Sequence, residues 1–263
     1  MFARSMRFVL AVAGSIVCGT AAAAAGTDFS DQWWNPAESG WGVSILQQSN
    51  VIFVDLFAYG GDGVPVWYTA SASTQGPNDQ GHVVFSGDLF ATHGPSSALP
   101  FDPSQVVYRK VGTLTFDAEG VDSANLVYQV DGVAVNRKVI RQSWKAEDFS
   151  GSYYGAFIYD YMALHAPCPD VHAEEVGPIK VAQSGDGTIA LTIQSAQHNC
   201  TFSGALTQAG RMGSSQGTFA CSDSLNGTYT AFEMQKNGNG ITGRFAGESR
   251  FCSFTGRFGG VLR

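Results

Sequence analysis

Trp33-Trp34-Asn35-Pro36-Ala37-Glu38-Ser39-Gly40-Trp41-Gly42 places three indoles, a proline turn and a carboxylate within ten positions. Indole faces stack on sugar rings and other flat apolar ligands, and a neighbouring carboxylate can hold a hydroxyl or a loop N–H. Trp67 and Tyr68 would extend such a platform. The residues whose types suit ligand binding are therefore Trp33, Trp34, Trp41, Trp67 and Tyr68, with Glu38 and Asp55 as acids. The competing role for the indoles is structural, as plugs closing the end of a barrel or sandwich. Trp41 alternates with Val43 and Ile45 and reads as such a plug, which leaves Trp33 or Trp34 as the better contact. Glu38 follows the proline turn and precedes Ser39-Gly40, so it is placed to accept backbone N–H bonds and lock the loop. Asp55 shares one side of its strand with Phe53, Phe57 and Tyr59. There it is either hydrogen-bonded core, with Arg109 or Arg141 as partner, or a site acid with a raised pKa.

Other chemistry has thinner support. His165, Asp170, His172, Glu174 and Glu175 bracket Cys168 with enough nitrogen and oxygen donors for a divalent ion, but in no established spacing. A solvated acidic loop is expected, with no metal and no cofactor. No G-x-S-x-G elbow occurs, and the five histidines are scattered, so no catalytic residue is assigned. These features point to a non-catalytic binding or surface-associated module that uses an aromatic patch on a small molecule or glycan. The alternative is a secreted hydrolase with its site between two β domains.

The stretch from Trp33 to Gly42 resembles the WWNPAESGWG segment that opens a β-rich domain in a group of exported proteins, mostly proteobacterial. The resemblance continues through Phe57-Ala58-Tyr59, the Gly-Asp-Gly turn, Trp67-Tyr68, Gly94-Pro95 and Phe101-Asp102-Pro103. It implies export and a domain boundary, and it implies no activity.

The elements that must position these residues are strands. Of 263 residues, 32 are glycine and only 14% are charged, a balance that disfavours helices, and no helical pattern exceeds about two turns. Runs of β-branched and aromatic residues at 41–46, 51–59, 64–70, 83–91, 106–116, 124–130 and 133–140 predict about seven strands, forming a sandwich or an open barrel. A second series at 152–164, 179–183, 188–194, 200–207, 216–221, 227–234, 241–246 and 251–258 predicts an up-and-down barrel of about eight. Thr242-Gly243-Arg244-Phe245 recurs as Thr255-Gly256-Arg257-Phe258, and Gly217-Thr218-Phe219 as Gly227-Thr228-Tyr229, as neighbouring strands of a meander would. Tyr153, Phe157, Tyr159 and Tyr161 share one face of their strand, facing either a cavity or a filled interior. The charged segment Lys145 to Asp148 divides an N-terminal domain, residues 27–145, from a C-terminal one, residues 149–263.

Arg4 and Arg7, the apolar run 8–17 and the alanines before Gly26 have the order of a secretory signal over residues 1–25. The expected location is therefore periplasmic or extracellular. No later run is long enough to make a spanning helix. Without Arg4 and Arg7, Lys+Arg falls from 15 to 13 against 22 acids, a net charge of −9 that argues against nucleic acid as a partner. Apart from Cys18, the cysteines are Cys168, Cys200, Cys221 and Cys252, which in an exported chain predict two disulfides. Cys200 and Cys221 can face each other across a hairpin. Barrel closure would bring the Cys168 loop beside Cys252.

Overall fold

A computed structural model describes residues 26–166, 168, 171–196 and 198–263. The expected export signal and Asp170 lie outside these residues. Sixteen strands are present: β1 (Asp31–Trp34), β2 (Gly42–Gln48), β3 (Val51–Tyr59), β4 (Pro65–Ser73), β5 (Val83–His93), β6 (Val107–Ala118), β7 (Ser123–Val130) and β8 (Val133–Arg141), then β9 (Gly151–Ala163), β10 (Val171–Gln183), β11 (Thr188–Gln194), β12 (Asn199–Ala209), β13 (Met212–Cys221), β14 (Asn226–Asn237), β15 (Gly240–Ser249) and β16 (Cys252–Leu262). Strands β1 to β8 form one closed antiparallel barrel and β9 to β16 a second.

The first half is thus neither a sandwich nor an open barrel. The short strand β1, for which no apolar run was apparent, supplies the eighth stave and pairs with β8 through Trp33↔Arg141 and Trp34↔Ile140. β10 likewise starts at Val171 rather than 179, because His172 and Glu174 face out while Glu175, Gly177 and Ile179 face in. Alternation is what makes a strand, and charged residues on its outer face do not interrupt it.

Both interiors are apolar. The first holds Ile45, Ile52, Leu56, Phe85, Leu89, Leu114, Phe116 and Leu126 at no more than 1% exposure. The second is built largely of rings, including Tyr153, Phe157, Phe219, Tyr229, Phe254 and Phe258. Eight-stranded barrels coil tightly, and some positions tolerate no side chain. A Cβ at Gly112 would lie 1.9 Å from the Gln129 carbonyl oxygen. The repeated tetrapeptides have a packing cause: a Cβ at Gly243 would meet the Phe258 ring at 2.6 Å, and one at Gly256 the Phe245 ring at 2.7 Å. Each glycine of the adjacent strands leaves room for the other's phenylalanine.

One end of each barrel is closed by the same device. Phe29 N–H donates to Gln47 Oε1 (2.8 Å), Ser30 N–H to Asp28 Oδ1 (2.8 Å), Gln47 N–H to Ser30 Oγ (2.8 Å), and the Trp33 indole N–H to Phe29 O (3.0 Å). In the second barrel Phe149 N–H donates to Gln183 Oε1 (3.0 Å), Ser150 N–H to Asp148 Oδ1 (2.9 Å), Gln183 N–H to Ser150 Oγ (3.0 Å), and the Tyr153 hydroxyl to Phe149 O (3.1 Å). Asp-Phe-Ser therefore occurs twice, each time with an aromatic residue four positions after the phenylalanine. Phe29 and Phe149 enter the cores as plugs whose backbone polar groups are satisfied.

The plug aspartates make the structure acid-sensitive. Hydrogen bonds from the Ser150 side chain and backbone hold the Asp148 carboxyl below the usual range. Burial pushes Asp28 up, but the bonds from Ser30 and the charge of Arg211 outweigh it, so Asp28 also titrates low. A carboxyl depressed in the folded state contributes stability fully above its unfolded pKa of about 3.9, and this is lost as pH falls through the lower folded value. Unfolding measured between pH 2 and 5 should thus show a fall in stability that is shallower in Asp148→Asn. An unchanged acid limb in that variant would refute the assignment.

The plugged ends meet each other. Arg211 pairs with Asp28, Gly210 N–H donates to Ser143 Oγ (2.8 Å), and the Thr27 hydroxyl bonds Glu233. Arg141, with no exposed side-chain surface, donates to Asp28 O (2.7 Å), Val121 O (2.6 Å) and Asp31 (3.3 Å) and lies over the Trp33 ring at 4.7 Å. The far ends are clear of this seam. In the second barrel the far end carries both disulfides: Cys200–Cys221, whose cysteines are register partners on β12 and β13, and Cys168–Cys252. Both pairings match those expected from the sequence.

Candidate functional site

β1 is four residues long, so the loop after Trp34 runs on alongside β8 where strand pairing stops. Asn35 organises its turn, accepting from Ala37 N–H (2.9 Å) on its side chain and from Glu38 N–H (3.0 Å) on its carbonyl. Glu38 does not take the backbone N–H bonds expected of it. Its Oε2 accepts from the Trp41 indole (3.1 Å) and from Arg137 Nε on β8 (3.0 Å). The carboxylate thus ties the loop to the strand that it flanks. Trp41 is half-buried and packs on the core rim with Ala58, Tyr68 and Tyr128.

The indole roles differ from those expected. Trp33 is fully buried, its N–H bonded inside the plug, and it cannot meet a ligand without unfolding the barrel. Tyr68 points inward and packs on the core, whereas Trp67, its chain neighbour, points out and is 62% exposed. Trp34 is half-buried. Asp55 does share a side with Phe53, Phe57 and Tyr59, but that side is the outer wall. Arg109 pairs with Asp131 and Arg141 with Asp31, so neither arginine is its partner.

That outer wall carries the aromatic patch. Phe57 and Trp67 are register partners with ring centroids 5.7 Å apart, and Phe90 and Tyr108 lie 6.1 Å apart two strands on. Tyr59 and Tyr108 are 58% and 72% exposed. The next row of the register interleaves polar groups, Asp55 opposite Thr69 and then Lys110 paired with Asp88 at 2.7 Å. The rings sit on strands, so their faces are held without a loop having to order.

A second assembly, absent from the sequence-based candidates as a unit, occupies the disulfide-bearing end of the second barrel. Tyr159, Tyr161, Phe202, Phe219, Phe245 and Phe254 enclose a space of about 50 Å³ with Glu175 and His198 in its wall. The Glu175 side chain is 8% exposed, and its Oε1 accepts from the Tyr159 hydroxyl. His198 Nε2 lies 3.7 Å from the same oxygen, and Nδ1 lies 3.2 Å from Asp223 Oδ2 without hydrogen-bond alignment. Burial, and then the Glu175 bond and charge, push the Tyr159 hydroxyl far above the usual tyrosine range, so it stays a donor. Burial followed by the charges of Asp223 and Glu175 pushes Tyr161 the same way. The alternation of 153, 157, 159 and 161 announced the tyrosine face. Glu175, named from the sequence only as one donor near Cys168, and His198 were not read as a pair, because the inward phase of β10 is invisible among polar neighbours and His198 lies in the connection before β12.

Three of the donors that bracket Cys168 lie on β10 and are split between its two faces. His172 faces out and pairs with Asp160 (2.7 Å) and Glu174 (3.6 Å), while Glu175 faces in. Among the described residues no group of three or more His, Cys, Asp or Glu side chains could hold a metal ion. None of the described helices is long and apolar enough to cross a membrane. The space between the barrels holds the ion pairs and hydrogen bonds of the plugged ends. No protein-family model matches the chain, and no curated protein matches it.

Proposed function

We propose that the protein is an exported, non-catalytic binding module whose contact surface is the aromatic outer wall of the first barrel, and that its ligand is a glycan. The observation that carries this reading is Trp67, a strand-borne indole with 62% of its surface in solvent beside Phe57 and Tyr59. Isolated exposed apolar residues are ordinary, but a row of rings in neighbouring strands is a patch. Sugars present apolar C–H faces for stacking and hydroxyls for Asp55, Thr69 and Asp88. Trp34 extends the surface, and Glu38 fixes the loop beside it. The two disulfides fit a periplasmic or extracellular location. Membership of the exported WWNPAESGWG group belongs to the same proposal.

Trp67→Ala should weaken retention of the protein on insoluble polysaccharides by about five- to tenfold, the size of one lost aromatic contact. Its melting temperature should remain at the wild-type value, since exposed substitutions stay within about 0.5 kcal/mol. Equal retention of Trp67→Ala and wild type across cellulose, chitin and peptidoglycan would overturn the proposal.

A further inference from the structure

The disulfide-bearing end of the second barrel lies apart from the aromatic wall of the first and holds a ring-lined space. Three features set it apart from a packing defect. First, a carboxylate is buried inside a wall of rings, and burial of a charge is costly without a partner. Glu175 is bonded at one oxygen and reachable at the other: the Tyr159 hydroxyl and His198 both approach Oε1, while no described residue hydrogen-bonds Oε2, which keeps contact with solvent. Second, no lysine or arginine lines the space. His198 at the rim stands between two carboxylates, Glu175 and Asp223, so the mouth remains negative even with the imidazole protonated. Third, this end is cross-linked by both disulfides. The plugged end of this barrel is filled by Phe149, whereas among the described residues this end has no such plug and is held by Cys200–Cys221, whose cysteines line the space, and by Cys168–Cys252.

We propose that this end of the second barrel binds a primary alkylammonium group, with the ammonium donating to Glu175 Oε2 and lying against the faces of Tyr159, Tyr161 and Phe202, and the alkyl chain leaving through the rim. Rings and a carboxylate together attract a cation by their negative faces and by charge. The volume sets the size. About 50 Å³ holds a few water molecules, and hence an ammonium with its first carbons but not a sugar ring. An anion would face both Glu175 and Asp223 with only His198 to offset them.

The probe is n-butylammonium, titrated into the disulfide-bonded protein by calorimetry, with n-butyrate as the matched anion. Butylammonium should bind and butyrate should not. Glu175→Gln, which keeps shape and the bond from Tyr159, should lower the affinity at least about tenfold. Leu225→Trp, at the rim and away from the carboxylate, should block entry and serves if Glu175→Gln fails to fold. Binding of both probes alike, undiminished affinity in either folded variant, or no heat from butylammonium up to saturating concentrations would overturn the proposal. Trp67→Ala should leave this titration unchanged, which keeps it independent of the glycan test.

Discussion

Trp33→Ala should cost the first barrel about 3–5 kcal/mol, as expected for emptying a fully buried aromatic site. The indole is the largest fully buried side chain of the barrel. Its ring meets Phe116 edge-on with centroids 5.0 Å apart, its N–H satisfies the Phe29 carbonyl, and Arg141 lies over its face. Alanine would remove the transfer free energy, orphan a buried carbonyl and strip one side from a buried guanidinium. At about 2–4 °C per kcal/mol for a chain of this size, the melting temperature should fall by on the order of 10 °C. Trp67→Ala, measured alongside, should leave it in place. A Trp33→Ala protein that melts with the wild type would show that the plug contributes nothing, and the reading of both Asp-Phe-Ser segments would fall with it.

The second large effect is reduction of the disulfides. Cys168–Cys252 closes a sequence separation of 84 residues and Cys200–Cys221 one of 21. On the chain-entropy argument these amount to about 4.5 and 3.4 kcal/mol, with measured bridges commonly contributing roughly 2–4 each. Dithiothreitol should therefore destabilise the second barrel by several kcal/mol, and loss of the longer bridge alone should cost more than loss of the shorter. The first barrel contains no cysteine among its strands and should keep its amide protection, read by hydrogen exchange. If both barrels lose protection together, the seam between the plugged ends makes them one cooperative unit, and the division near residues 145–149 is not a thermodynamic one.

Period-two alternation made most of the fold legible. β3 and β11 were bounded to the residue, and the tyrosine face of β9 was read in its correct phase. β1 was not legible, because four residues inside a loop-like motif offer too little alternation to register. The same motif does not reveal which of its indoles is buried. Trp33 and Trp34 are adjacent and chemically alike, yet the pleat sends one into the core and the other to the wall, and only the partner strand fixes which. For Asp55, likewise, the shared side is readable while its direction is not. The duplicated Asp-Phe-Ser was present in the sequence and is the signal that would have located both plugs. The ring-lined space of the second barrel was beyond reach, since it depends on how far aromatic side chains from β9, β12, β13, β15 and β16 approach each other.

The two rings are not sealed equally. β16 pairs with β9 from Cys252↔Ala163 to Leu262↔Tyr153, so the second barrel presents no free row of backbone N–H and C=O groups along that join. β8 is paired with β1 only at its last two residues, and the remainder of that edge has no strand partner. The Glu38–Arg137 bond lays the tryptophan-rich loop along that edge. The motif that looks like a ligand platform therefore also lies where an uncovered strand edge would offer a template for cross-strand pairing.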